Sequence, residues 1–182
     1  MFFLILVDCH GDEYQIMRID EQLRRCFHAG EHDPFVQAVL HTVPNQAAER
    51  GIYTMSSLEA RFNNVYKQCR KSPAYPENGG VVSNSVAWVK HKLASTPKPK
   101  VIPACEFENP EGMSEAELLE QAKYFMDKKC VHEAVRCMVQ LSGEMRLKAQ
   151  EWIEEARLVL ETRQAAEVLM AYANSKGMGT IF

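Results

Sequence analysis

Few residues of this chain have types and spacings that suit catalysis or metal binding. Glu151 and Glu155 stand four apart, so on a helix their carboxylates share a face, as a general acid and a general base would. No glycine-rich loop or partnered histidine accompanies them. The same glutamates also fit a solvated ladder in which Lys148–Glu151, Glu154–Arg157 and Arg157–Glu161 pair three or four residues apart, each pair adding roughly 0.3 kcal/mol. Three of the six cysteines lie beside a histidine: Cys9-His10, Cys26-x-His28 and Cys130-x-His132. Residues one or two apart do not share a helix face and no C-x-x-C occurs, so a metal would need ligands from elsewhere. Buried or inert thiols are the expectation. Around Cys130, His132 or Glu151 no nucleophile–base–orienter set forms, which leaves a small helical enzyme poorly supported. Gly177-x-Gly179 has too few glycines and no lysine for a phosphate cradle. No catalytic, cofactor or metal residue is assigned.

The elements that would carry these side chains are helical. With 182 residues, 46% of them apolar, the chain can bury one core. Its formal charge of −3 excludes a protein that grips nucleic acid through bulk basic charge. Charge is uneven: residues 57–104 hold eight bases against two acids, and residues 106–182 hold nine bases against fourteen acids. Met1–Val7 is apolar but far short of the ~20 residues a membrane span needs, and no basic flank marks it as a signal. Periodicity predicts a helix over 14–29 ending at Gly30, with Ile16, Ile19, Leu23 and Phe27 on one face. Asp33-Pro34 caps a short helix that turns Phe35, Val36, Val39, Leu40 and Val43 inward and stops at Pro44. "RGIYT" reads as a loop, and Ser56-x-x-Glu59 as a capping box for a helix with Leu58, Phe62, Val65, Tyr66 and Cys69 inward. A helix at 83–94 is expected to bury Val86, Val89 and Leu93. Four prolines make 95–112 a linker. A second capping box, Ser114-x-x-Glu117, opens a helix bearing Leu118, Ala122, Phe125 and Met126. After a break at Lys128-Lys129, "VHEAVRCMVQL" turns Val131, Val135, Met138 and Val139 inward. The expected class is all-α, an irregular helical bundle.

Ser142-Gly143 introduces the longest element, a proline-free run from Glu144 to Ser175 that would measure about 48 Å as a helix. Met145, Ala149, Trp152, Ala156, Val159, Arg163, Ala166, Met170 and Ala173 alternate four and three apart, a heptad seam, with Ile153, Leu160, Leu169 and Tyr172 flanking it. Part of so long a helix is expected to project, with the small seam alanines letting a second helix approach. Arg163 admits two readings: a stem covering apolar surface with its head on Glu167, or a polar specificity device inside an interface. Gly177 is a candidate left-handed cap.

These residues also resemble a known family. Arg50-Gly51-Ile52-Tyr53, then Leu58 and Ala60-Arg61-Phe62, look like a signature of the mitofilin family, large scaffold subunits of the MICOS complex of the mitochondrial inner membrane. The match is denser from Ala149 to Ile153, through Glu155-Ala156-Arg157, Leu160–Gln164, Glu167-Val168-Leu169 and Ala171-Tyr172-Ala173, to Gly177-x-Gly179-Thr180. It runs from about Gln22 to Thr180 and corresponds to the family's C-terminal domain. The implied layout is an unmatched segment 1–21, N-terminal helices in 22–94, the linker 95–112 and C-terminal helices in 113–182. Family members carry a transit peptide, a membrane helix and a long coiled coil before this domain. The resemblance implies a non-enzymatic organiser of crista junctions and membrane contact sites, on the intermembrane-space side of the inner membrane. It also implies docking of a CHCH-domain MICOS subunit, contact with other MICOS subunits and self-association. On that reading Trp152, Ala156, Val159, Arg163, Ala166 and Met170 face a partner, and Arg61, Lys67, Arg70, Lys71, Lys90 and Lys92 face anionic inner-membrane lipid. The alternative is a fragment of a helical-repeat adaptor outside that complex, suggested by the helix–turn–helix look of "AKYFMDKKCVHEAVRCM".

Overall fold

The computed structural model describes residues 16–71, 101–103, 107 and 109–179. Seven helices and one short ribbon make up the described residues. In order they are β1 (Ile16–Met17), α1 (Asp20–Ala29), α2 (Pro34–Leu40), α3 (Asn45–Arg50), β2 (Ile52–Tyr53), α4 (Met55–Lys71), α5 (Glu115–Asp127), α6 (Val131–Val139) and α7 (Gly143–Gly179). The class is all-α, as the periodicity predicts. The chain forms two compact units, Met1–Arg61 with Glu154–Phe182, and Phe62–Ile153. The helix expected at 83–94 lies outside the described residues, as do residues 1–15.

In the first unit the predicted helix over 14–29 starts only at Asp20. Asp20 and Glu21 favour the positive end of the helix dipole and pair with Arg24 (3.2 Å) and Arg25 (2.9 Å) one turn on. Ahead of it, Ile16 and Met17 pair antiparallel with Tyr53 and Ile52, so "RGIYT" is not a loop. Two-residue strands are too short to show alternation, which is why periodicity misses them. Gly51 makes the pairing fit. Its φ is 87°, and a Cβ there would lie 2.4 Å from the Met17 carbonyl oxygen.

Asp33 does cap α2: its Oδ1 accepts from the backbone N–H groups of Phe35 (3.0 Å) and Val36 (3.4 Å), and Pro34 fills the first helical position. Phe35, expected inward, is 43% exposed, while Leu40 and Val43 are buried. After Pro44 a further short helix, α3, buries Ala47. The cap of α4 is Thr54 rather than Ser56. Ser57 N–H donates to Thr54 Oγ1 (3.3 Å) and Leu58 N–H to the Thr54 carbonyl (2.9 Å), so Ser56 already lies inside the helix.

In the second unit the Ser114 capping box is complete: Glu117 N–H donates to Ser114 Oγ, and Ser114 N–H to Glu117 Oε2 (2.8 Å). The Lys128-Lys129 break closes α5 through a left-handed Lys129 (φ 61°) and Cys130 N–H donating to the Phe125 carbonyl (2.9 Å). Leu118, Leu119, Ala122, Phe125 and Met126 of α5 are buried, as are Val131, Ala134, Val135 and Met138 of α6. Phe62 on α4 meets Trp152 on α7 edge-on at 5.0 Å.

Helix α7 is 37 residues, about 55 Å. It runs through Gly177, which has no left-handed φ and does not cap it. Among the described residues no helix is long and apolar enough to cross a membrane.

Candidate interaction surface

The heptad seam of α7 is mostly core. Met145, Ala149 and Trp152 are buried in the second unit, and Ala156, Val159 and Ala166 in the first. Four residues read as partner-facing, Trp152, Ala156, Val159 and Ala166, are thus buried within the chain itself, Trp152 at 1% exposure. A seam has the same sequence pattern whether it packs on its own chain or on another, so spacing alone does not separate the two. Leu158, Thr162 and Ala165, outside the seam and flank, are buried as well. Arg163 and Met170 remain at the surface.

The Arg163 head lies where the first of its two readings expects it: Nε donates to Glu167 Oε1 at 2.8 Å, one turn along the helix. Glu155 departs from the expected solvated ladder. It is only 6% exposed, and its carboxylate holds the Arg50 guanidinium at 2.7 Å. Sequence reasoning missed the pair because its members are 105 positions apart and only the folded first unit brings them together. The first turns of α7 do carry an i,i+4 pair, Lys148 with Glu144 (2.7 Å).

Toward its end α7 is held to α2. Tyr172 Oη donates to Asp33 Oδ2 (2.8 Å), and the Tyr172 ring packs on Phe35 with 4.4 Å between centroids. Lys176 Nζ sits 5.2 Å from the Tyr172 ring centre. The Tyr172 hydroxyl, and then the backbone N–H groups of Val36 and Phe35, hold the Asp33 carboxyl below its ordinary range. On these last turns Val168 and Met170 are exposed apolar side chains.

The basic set divides. Arg61 is spent within the first unit: its guanidinium lies 4.5 Å from the Tyr53 ring centre and donates to Tyr53 Oη (3.0 Å). Arg70 lies 3.9 Å from the Glu120 carboxylate, which also accepts from Tyr66 Oη (2.7 Å). Burial, followed by Glu120, pushes the Tyr66 hydroxyl above its ordinary value. Lys67 and Lys71 are exposed one turn apart on α4. Lys90 and Lys92 lie outside the described residues.

Cys69 and Cys137 are buried, and burial pushes the Cys137 thiol up to about 12, with Glu133 adding to the rise. Cys26 and Cys130 are half-buried. Cys9 and Cys105 lie outside the described residues. Among the described residues no group of three or more His, Cys, Asp or Glu is gathered as a metal would need.

The residues of the first signature are framework. Arg50 neutralises buried Glu155, Gly51 permits the close strand approach, Ile52 is buried in the ribbon, Tyr53 carries Arg61, and Leu58 and Phe62 are fully buried.

Against known proteins, the family model Mitofilin, described as mitochondrial inner membrane protein, matches residues 19–174. A MICOS complex subunit Mic60 of Drosophila melanogaster is 36% identical over 151 residues, which are 80% of this chain and 20% of that protein. MICOS complex subunit MIC60 of Paracoccidioides brasiliensis is 30% identical over 138 residues, 76% of this chain and 19% of that protein. The Neurospora crassa subunit mic60 is 30% identical over 146 residues, 80% of this chain and 20% of its own length. The chain therefore spans about a fifth of the length of these curated relatives. No solved structure matches it.

Proposed function

The chain belongs to the mitofilin family, and from that premise we propose that it acts as a non-enzymatic scaffold domain of the MICOS complex. The supporting observation is the match over residues 19–174 together with what its signature residues do: they build packing and an ion pair, the materials of a rigid interaction platform. On this reading the domain works on the intermembrane-space side of the inner membrane. It maintains crista junctions and contact sites with the outer membrane, and docks a CHCH-domain MICOS subunit alongside other MICOS subunits, with self-association. We place the docking face on the exposed residues of α7, Arg163 and Met170, in place of the buried seam. Titration of the purified chain with the CHCH-domain subunit tests this. Met170→Asp and Arg163→Glu, both at surface positions, are expected to weaken binding at least tenfold with the helical content unchanged. Unaltered affinity in both variants overturns the placement, and no binding by the folded wild-type chain overturns the partner. The helical-repeat adaptor reading loses its ground to a family match that spans α1 to α7.

A further inference from the structure

The hairpin of α5 and α6 in the second unit does something the scaffold reading does not require. Gln121 faces the apolar side of α5 and is completely buried, an unusual place for a carboxamide. Both its polar atoms go to a single residue of the proline-rich stretch. Ile102 N–H donates to Gln121 Oε1 (2.8 Å), and Gln121 Nε2 donates to the Ile102 carbonyl (2.7 Å). That is the double exchange a hydrogen-bonded residue pair makes in an antiparallel sheet, with a side-chain amide standing in for the neighbouring strand. Such a contact reads backbone and tolerates any side chain. Pro103 biases Ile102 toward an extended conformation, presenting its N–H and carbonyl to the amide.

A second contact supplies side-chain selection. Phe107 is buried edge-on against Phe125 of α5, with 4.8 Å between ring centres, and the Arg136 guanidinium of α6 lies 5.8 Å from the Phe107 ring centre. At the first anchor the seat is shallow: Val101 and Pro103 are exposed and Ile102 is half-buried. If Ile102 and Phe107 left, a buried amide would lose both partners and an aromatic face would meet water, so the hairpin demands an occupant.

We propose that the α5–α6 hairpin is a reader of extended peptide, that Ile102 and Phe107 are its resident ligand, and that a partner segment of the same chemistry competes with them for it. That chemistry is a residue before proline, read through its own N–H and carbonyl, and an aromatic residue four positions after the proline. Main-chain bonds to Gln121 supply the grip and the Phe125–Arg136 slot the specificity. The resident segment holds the site because covalent attachment raises its local concentration, until a tighter segment arrives.

A labelled peptide of residues 101–110 (VIPACEFENP) titrated against the full chain tests the assignment by fluorescence anisotropy. Phe107→Ala, which weakens the resident segment, is expected to bind the peptide at least tenfold more tightly than wild type does. Adding Gln121→Leu to that variant is expected to reverse the gain. Equal affinity for wild type and Phe107→Ala, no binding to a folded Phe107→Ala chain, or indifference to Gln121→Leu overturns the proposal. Amide exchange in the wild-type chain provides a readout that needs no variant. The Ile102 N–H is expected to be protected yet to exchange through an opening that leaves the amides of α5 and α6 protected. Exchange of Ile102 only with the rest of the hairpin, or no protection at all, overturns it equally.

Discussion

Glu155 shows how one side chain changes meaning when its surroundings are known. In the sequence it is one of several glutamates on a helix; in the structure it is a nearly buried carboxylate whose charge is met by Arg50 at 2.7 Å. Removing either member leaves the other partly desolvated, and Arg50→Met, which strands the buried carboxylate, is expected to destabilise by about 1–3 kcal/mol in urea unfolding. Glu155→Gln should cost less, because a neutral amide is cheaper to bury than an unmatched charge. A double-mutant cycle with appreciable coupling supports the pairing, and additive losses refute it. The thiols give a second check. Cys137, pushed up to about 12 by burial, and Cys69, also raised by burial, are expected to resist iodoacetamide at pH 8 in the folded chain. Half-buried Cys130 should be alkylated ahead of both, and all three should react in denaturant, as peptide mass spectrometry reads. The burial of Cys69 was legible from its place on the inward stripe of α4. Glu155 was not, because no local pattern encodes an arginine 105 positions away.

Caps and breaks were the most legible features among the helices, because their chemistry is local. Asp33-Pro34, Ser114-x-x-Glu117 and Lys128-Lys129 each satisfy orphan backbone groups within a few residues, so their sequence signatures suffice. Ser56-x-x-Glu59 carries an equally good signature, yet Thr54 takes the position, since the ribbon ending at Tyr53 sets where α4 begins. The ribbon itself depends on Gly51. Gly51→Ala combines a left-handed φ with a contact 2.4 Å from a backbone oxygen, and is expected to destabilise by roughly 2 kcal/mol or more in thermal unfolding. A near-neutral result removes the ribbon as a structural requirement. The junction of α2 and α7 carries a pH signature. The Asp33 carboxyl titrates below its ordinary 3.8 when folded, chiefly through Tyr172, so its contribution is complete above that value and is lost as pH falls through the folded one. Tyr172→Phe should move the Asp33 titration, followed by carboxyl-carbon NMR, back up toward 3.8. An unmoved titration means the hydrogen bond does not form in solution.

At the scale of the whole chain, class and family were legible, and which faces are free was less so. Amphipathic stripes specify burial but do not say what buries them, and most of the predicted docking seam turned out to be occupied by the chain itself. The same holds for basic charge. Of the four described residues read as lipid-facing, Arg61 stacks on Tyr53, exposed Arg70 leans on Glu120, and Lys67 and Lys71 are exposed on α4. If this face meets anionic membrane, flotation with cardiolipin-containing vesicles should fall with added salt. It should fall again in a Lys67→Glu, Lys71→Glu variant, each lysine contributing about 1 kcal/mol near a charged surface. Flotation indifferent to both removes lipid from the proposed role.

Asp33 has two oxygens with two employers. Oδ1 starts α2, and Oδ2 receives the hydroxyl of Tyr172 from a segment 139 positions away. A molecule that seizes the last turns of α7 and draws Tyr172 away therefore alters the carboxylate on which the first turn of α2 depends. By reciprocity, whatever loosens that first turn changes the grip on Tyr172. The chemical shift of the Phe35 N–H is therefore expected to move when a ligand draws Tyr172 away, and an unmoved shift refutes the coupling.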